Sequence, residues 1–359
     1  MKLIKTEKYI HTKGGRMKII ILKPANQKGT LPGLLWIHGG GYITGMAAMV
    51  NFSRGRDIAS QCGAVVLSPE YRLSGKAPYP AALEDCYEAL LFMKKHTEEL
   101  GIRTDQLMVG GESAGGGLSA ALCLYARDKK EVNISFQMPL YPMLDCQDTE
   151  SSKNNHGHIW NTRRNHYGWR KYLAGMNQKD IIPSYASAAR ATDYSGLPPA
   201  YTFVCDGEPF YCETLTYVEQ LKKAGIKASV DVYHAKTHAF DMMCPWLKVS
   251  KQAKRELLKR FEYAKKHFYA ENKKGETTMN EYEIITLPVS DGTEKEFAIM
   301  DTFVAENKQY VAVSLVKDDS IQDGIFLYRY KDAEDGDMIV ETISTPEEYE
   351  RIAEVYESL

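Results

Sequence analysis

Ser113 lies in the run VGGESAGGGLSAALCLYA, residues 109–126, with glycine two positions before it and two after. A serine hydroxyl is a weak nucleophile until a neighbouring base takes its proton. Glycine permits the crowded backbone of a sharp strand-to-helix turn that lifts such a hydroxyl into the open. The chemistry to expect is attack on an acyl carbon. It also needs an imidazole, a carboxylate to orient it, and N–H donors for the developing oxyanion. The bare pattern G-x-S-x-G arises by chance in roughly one chain of this length in ten, so the partners decide.

Where this turn is used, the chain order is serine, acid, histidine. His238, in YHAKTHAFD, follows the last strand-like run and precedes the final long helical run. His156, His158 and His166 precede every acid candidate, His234 ends the strand, and His267 sits on a charged helix. The segment DGEPFYCE after YTFVC offers Glu208 as first choice for the acid and Asp206 as the alternative. Glu213 reads as opening the next helix, where its charge suits the dipole. WIHGGGYITG sets three glycines directly after a strand. Gly40 and Gly41, with the N–H of Ala114, are the expected oxyanion donors; one such donor typically contributes about 3–4 kcal/mol. His38 is expected to pack beneath this loop. A nucleotide-phosphate loop is excluded, because no G-x-G-x-x-G or Walker lysine follows.

For these residues to meet, several strand ends must converge. Residues 16–23 (RMKIIILK), 33–37 (GLLWI) and 64–68 (AVVLS) read as strands. AALEDCYEALLFMKKH, after Pro80, has the apolar spacing of a helix. A strand at 106–110, a helix at 115–127 and strands at 134–140 and 201–205 follow. A helix near 212–224, a strand at 228–233 and a helix at 246–270 complete the series. The alternation predicts a mostly parallel sheet with helices on both faces, whose functional loops lie at the carboxyl ends of the strands. His38, Ser113, Glu208 and His238 each follow a different strand. Residues 145–185 break the rhythm and are expected to form a cap insertion. Their run HIWNTRRNHYGWRKY could stack on a sugar, clamp an anion, or serve as helix packing.

The chain has 359 residues, 44% hydrophobic and 26% charged, enough for one large core or two domains. No apolar run approaches the roughly 20 residues of a membrane span, and MKLIKTEKYI has no signal-peptide core. Seven cysteines without C-x-x-C spacing argue against a disulfide framework or a metal site and for a reducing, cytoplasmic compartment. The net charge of −2 hides a division. Residues 276–359 hold 6 Lys and Arg against 21 Asp and Glu, a net of −15, which leaves +13 on residues 1–275. Such asymmetry marks a domain boundary, and ENKKGETTMNEYE reads as its linker. The expected domains are 1–274, carrying the serine chemistry, and 279–359, a small acidic α+β domain. The basic excess is diffuse and accompanies no nucleic-acid motif. Opposite charges make a contact between the two domains an expectation.

HGGG at 38–41, SPEYRL at 68–73, YPAALEDCYEAL at 79–90 and GESAGG at 111–116 resemble the bacterial hormone-sensitive-lipase-like α/β-hydrolases. SGLPPAYTFVCDGEPF at 195–210, HAF at 238–240 and WRKYLAG at 169–175 extend the likeness over roughly residues 15–270. The resemblance implies an α/β-hydrolase fold and hydrolysis of carboxylic esters, with no cofactor. Its nucleophile falls on Ser113, its base on His238 and its oxyanion glycines on Gly40 and Gly41. Where that family has aspartate, this chain has Glu208 before Pro209-Phe210, which keeps Asp206 in play. The family's N-terminal cap is nearly absent, so the lid is expected mainly from 145–185.

After Asn280 the runs YEIITLPV, EFAIMDTFVA, QYVAVSLV, IFLYRY and MIVETI predict a small antiparallel sheet joined by Asp-Gly and Asn-Lys turns. TPEEYERIAEVYES predicts a helix capped by Thr345. This part resembles a small acidic bacterial domain family of unknown function, and Met279-Asn280 reads like the start of a second gene. The leading expectation is a serine esterase for acetyl or other short acyl esters, with a small-molecule substrate that could be an acetylated carbohydrate. An amidase or peptidase, or a non-catalytic binding protein acting through the acidic domain, are the alternatives.

Overall fold

The computed structural model describes residues 1–176, 181–270, 284–289, 293–306, 308–317, 320–321, 324–332 and 338–358. The chain divides into two compact units, Met1–Glu271 and Asn272–Leu359. The expected linker 271–283 and most of the Asp-Gly and Asn-Lys turn residues lie outside the described residues.

In the first unit the strands are β1 (Leu3–Thr12), β2 (Gly15–Pro24), β3 (Leu31–Ile37), β4 (Val65–Pro69), β5 (Ile102–Glu112), β6 (Phe136–Leu140), β7 (Ala200–Cys205) and β8 (Ala228–Tyr233). The helices are α1 (Arg54–Gln61), α2 (Ala81–Lys95), α3 (Thr97–Leu100), α4 (Ala114–Lys129), α5 (Thr162–Tyr172), α6 (Tyr211–Lys223), α7 (Phe240–Met243) and α8 (Lys248–His267). One sheet runs β1-β2-β4-β3-β5-β6-β7-β8. The pairs β1/β2 and β2/β4 are antiparallel; every later pair is parallel.

Strand alternation sorts the core into two layers. In β3, Leu35 and Ile37 pack with residues of α2 and α4, while Leu34 and Trp36 join Ile58 of α1 and Leu257 and Phe261 of α8. Ala253, Leu257, Phe261 and Ala264 are buried at helical spacing, one stripe of an otherwise charged helix. Burying a side chain such as Leu257 or Phe261 contributes about 1.5–3 kcal/mol. Residues 3–12 form the edge strand β1, which the sequence pattern does not announce. Its Lys5, Thr6, Glu7 and Tyr9 are exposed, and charges on an edge strand discourage pairing with another chain. Among the described residues no helix is long and apolar enough to cross a membrane.

The second unit holds β9 (Ile284–Pro288), β10 (Glu294–Ala305), β11 (Lys308–Lys317), β12 (Ser320–Ile321), β13 (Phe326–Asp332), β14 (Met338–Thr342) and α9 (Pro346–Ser358). Its antiparallel sheet is ordered β14-β13-β11-β10-β9, with β12 beside β11. Alternation again assigns the faces. Tyr310 and Ala312 pack with Ile352 of α9, whereas Val311 and Val313 join Leu287 and Phe297. The Thr345 hydroxyl accepts the Glu348 N–H at 3.3 Å, the expected helix cap.

Candidate active site

Ser113 stands between β5 and α4 at φ 59°, ψ −119°. A non-glycine residue with positive φ is uncommon and is held there only by its surroundings. The flanking glycines explain how. A Cβ on Gly115 would lie 2.1 Å from the Ile37 carbonyl oxygen, and one on Gly111 would lie 2.4 Å from the same atom. The first turn of α4 therefore presses directly on the end of β3, and only side-chain-free residues fit. The bond from Ser113 N–H to the Leu140 carbonyl (3.0 Å) and from Met143 N–H to the Ser113 carbonyl (3.1 Å) fixes the elbow from the far side.

His238 follows β8 and reaches back to the elbow: its Nε2 lies 2.8 Å from Ser113 Oγ. Its Nδ1 is hydrogen-bonded to Glu208 Oε2. The other Glu208 oxygen accepts the Cys205 N–H at 3.0 Å. Ser113, Glu208 and His238 are 8%, 1% and 4% exposed. Tyr141 and Phe210 stand edge-on to the imidazole, 5.2 and 5.0 Å away between ring centres. Asp206 faces elsewhere. It bonds the exposed His234 at 2.6 Å and the Ala235 N–H at 3.2 Å.

Glu213 opens α6, as expected. Burial pushes its carboxyl well above the usual range, against two opposing N–H donors, Leu144 at 2.6 Å and Asp145 at 3.3 Å.

The loop after β3 turns through Gly40 at φ 120° and Gly41 at φ 61°. Both Ile43 and Thr44 donate to the Gly40 carbonyl, at 3.1 and 3.0 Å. Among the described residues the N–H groups of Gly40 and Gly41 have no acceptor, and Ala114, first in its helix, has no intrahelical acceptor for its own. All three are free to meet an oxygen. His38 packs beneath, stacked on Tyr71 at 4.1 Å with Nδ1 2.8 Å from the Gly39 carbonyl; burial lowers its pKa.

The insertion between β6 and β7 carries α5, whose inner side rests on this loop. A Cβ on Gly168 would come within 2.9 Å of the Gly41 carbonyl, and one on Gly41 within 2.0 Å of the Trp160 ring. Trp169 and Tyr172 are buried around Tyr42, with Tyr42 and Tyr172 stacked at 4.1 Å. These two aromatics are helix packing.

A buried ionic group behind the elbow escaped the sequence reading. Glu112, the residue before Ser113, accepts Trp36 Nε1–H at 2.8 Å and the Arg54 N–H at 3.1 Å. Burial drives its carboxyl up to about 7. The Arg54 side chain donates to Asp241, three residues past His238, through Nε at 2.7 Å and to its carbonyl at 2.6 Å. No spacing signal could have found this pair, whose members stand 187 positions apart.

A parallel sheet with a strained serine turn at the end of its central strand, and a histidine and carboxylate on later strand ends, is the α/β-hydrolase arrangement. The chain belongs to that family: the alpha/beta hydrolase fold profile matches residues 34–242. It is 31% identical over 57% of its length to the esterase LipI of Mycobacterium tuberculosis, covering 64% of that protein. It is 30% identical to an arylesterase of Saccharolobus solfataricus, over 58% of this chain and 67% of the relative. The solved structure of a bacterial heroin esterase superposes with a TM-score of 0.71 at 31% identity, covering 73% of this chain and 84% of that one. Residues 290–359 match a protein family of unknown function, DUF1292.

Proposed function

We propose that the protein is a serine carboxylesterase in which Ser113 is the nucleophile, His238 the base and Glu208 the acid. The single observation that carries this reading is the hydrogen-bonded line Ser113–His238–Glu208 at the elbow. Ser113 Oγ attacks the ester carbonyl carbon while its proton passes to His238 Nε2. The oxyanion that forms accepts from the N–H groups of Gly40, Gly41 and Ala114. Collapse expels the alcohol, which takes the proton back from His238. Water then attacks the acyl-serine, His238 again receiving the proton, and the carboxylic acid leaves. Glu208 holds the imidazole with Nδ1–H towards itself and stabilises the imidazolium.

Short acyl groups, acetyl above all, are the proposed substrates, because the Trp160 ring abuts Gly41 and limits the room beside the oxyanion loop. A sugar platform has less support, since Trp169 and Tyr172 are packed inside. The buried cysteines Cys62, Cys86, Cys123 and Cys205, all unpaired, suit a reducing, cytoplasmic setting. A nitrophenyl-ester chain-length series, run beside the matching anilides and an acetylated-sugar panel, tests the reading. The expected result is turnover highest at acetyl to butyryl; activity confined to the anilides, or absent throughout, overturns it.

A further inference from the structure

The outer side of α5 has no part in the proposed hydrolysis, and its chemistry is unusual for a helix. Asn165, Gly168, Trp169 and Tyr172 face inward, while Arg163, His166, Tyr167 and Arg170 recur at spacings of three and four on the exposed side. With the segment 153–156, including Lys153 and His156, they line an open cleft of about 1180 Å³. None of Ser113, Glu208 and His238 lies in its wall.

Helix N-termini carry a positive partial charge, so acids are favoured in the first turn and cations are unfavourable there. In α5 the first turn has no acid and instead carries Arg163 and Arg164. Nearby carboxylates do not balance the cleft. Asp148 pairs with His166 at 2.9 Å and Glu150 with Lys153 at 2.7 Å. Arg164 is engaged in structure, donating to the carbonyls of His158 and Ile159. Arg163 and Arg170 have no carboxylate partner among the described residues, and Arg170 lies over the Tyr167 ring at 5.5 Å. Arg163 in the first turn of α5 and Arg170 about two turns further on, neither opposed by a carboxylate and both in one concave wall, form a receptor for negative charge.

We propose that this cleft binds a small multivalent anion through phosphate or carboxylate groups, with Arg163 and Arg170 as its principal contacts. A planar guanidinium offers paired N–H donors that match either group, and an anion there relieves the unfavourable first turn of α5.

The test is calorimetric titration of the full-length chain, without ester present, with pyrophosphate in one arm and citrate in the other at low ionic strength. Saturable binding near one equivalent is expected for at least one, and the arm that binds identifies the group. Arg163→Ala/Arg170→Ala should weaken it at least tenfold. Arg163→Lys/Arg170→Lys, which keeps the charge and loses the fork, should weaken it less, and it decides the matter if the alanine chain fails to fold. Absence of saturable binding in both arms, or an affinity unchanged in the folded variants, overturns the proposal. The readout involves no hydrolysis, so it stands or falls apart from the esterase reading.

Discussion

Each unit of the chain puts a glutamate at the third position of a helix, and the two are treated in opposite ways. Glu213, in α6, is buried, bonded only by backbone N–H groups, and its carboxyl is driven upward by desolvation. Glu348, in α9, meets the Arg329 guanidinium on both oxygens and also accepts from the Tyr310 hydroxyl at 2.8 Å. Those partners, Arg329 foremost, pull it down to about 2. The hydrolase unit also has Glu112 and Asp241 raised by burial, Asp241 in spite of its pair with Arg54. Glu112 and Asp241 stand behind the serine turn, both bonded to Arg54. The second unit spends its buried carboxylate on an ion pair that ties α9 to its sheet. One unit is arranged around a strained point, and the other is arranged for cohesion.

The sharpest way to break this contrast is to remove the strained point. Ser113→Ala should lower ester turnover by about 10⁵-fold or more, because such residues act as a unit. A serine-reactive phosphonate should label the native chain at Ser113 alone, read by peptide mass spectrometry. Next in size is Glu208→Gln, expected to lower kcat by about 10⁴-fold by loss of the imidazole's orientation. Asp206→Asn should stay within about tenfold, as its partner is the exposed His234; the reverse ranking in steady-state kinetics would move the acid to Asp206.

Gly115→Ala tests the elbow without touching a reacting group. Its methyl would sit 2.1 Å from the Ile37 oxygen, and we expect a loss of about 3 kcal/mol or more in urea unfolding. In the second unit the sign of the pH response is the test. The Glu348 carboxyl is depressed from 4.5 to about 2 in the folded state. Its contribution is therefore present above pH 4.5 and lost as pH falls towards 2. Glu348→Gln in the 279–359 chain should lower Tm by several degrees at pH 7, with the difference vanishing near pH 2. Glu213→Gln, which keeps the acceptor and removes no native charge pair, should leave Tm at pH 7 unchanged or raised. Smallest of all is the effect expected from ending the chain at Lys274: esterase turnover within about twofold of the full chain.

Much of the site was legible because backbone geometry needs glycine and a turn shape. Ser113 between Gly111 and Gly115, and Gly40 with Gly41, are written as local patterns whose physical reason is contact at the end of β3. The candidate acid was legible only to within two residues. Asp206 and Glu208 share one short turn, and which of them points inward depends on how β7 and β8 end together. β1 was missed because an exposed edge strand carries charges where a buried one would alternate. The helix α5 was foreshadowed only as a cap, since its inward residues include Asn165 and Gly168, which no apolar count registers. Arg54 and Asp241 were invisible for a plainer reason: neither carries any local mark of the other.

That last pair also bears on how the protein is made. Arg54 leaves the ribosome 187 residues ahead of Asp241, a delay of about ten to forty seconds at ordinary rates of synthesis. Through that interval the guanidinium has only Asp57, on its own helix, as a partner. The glycine loop is already made when it begins and the elbow serine is translated within it, yet the floor beneath them stays open until residue 241 arrives. A nascent chain therefore carries Ser113 long before the site around it is complete.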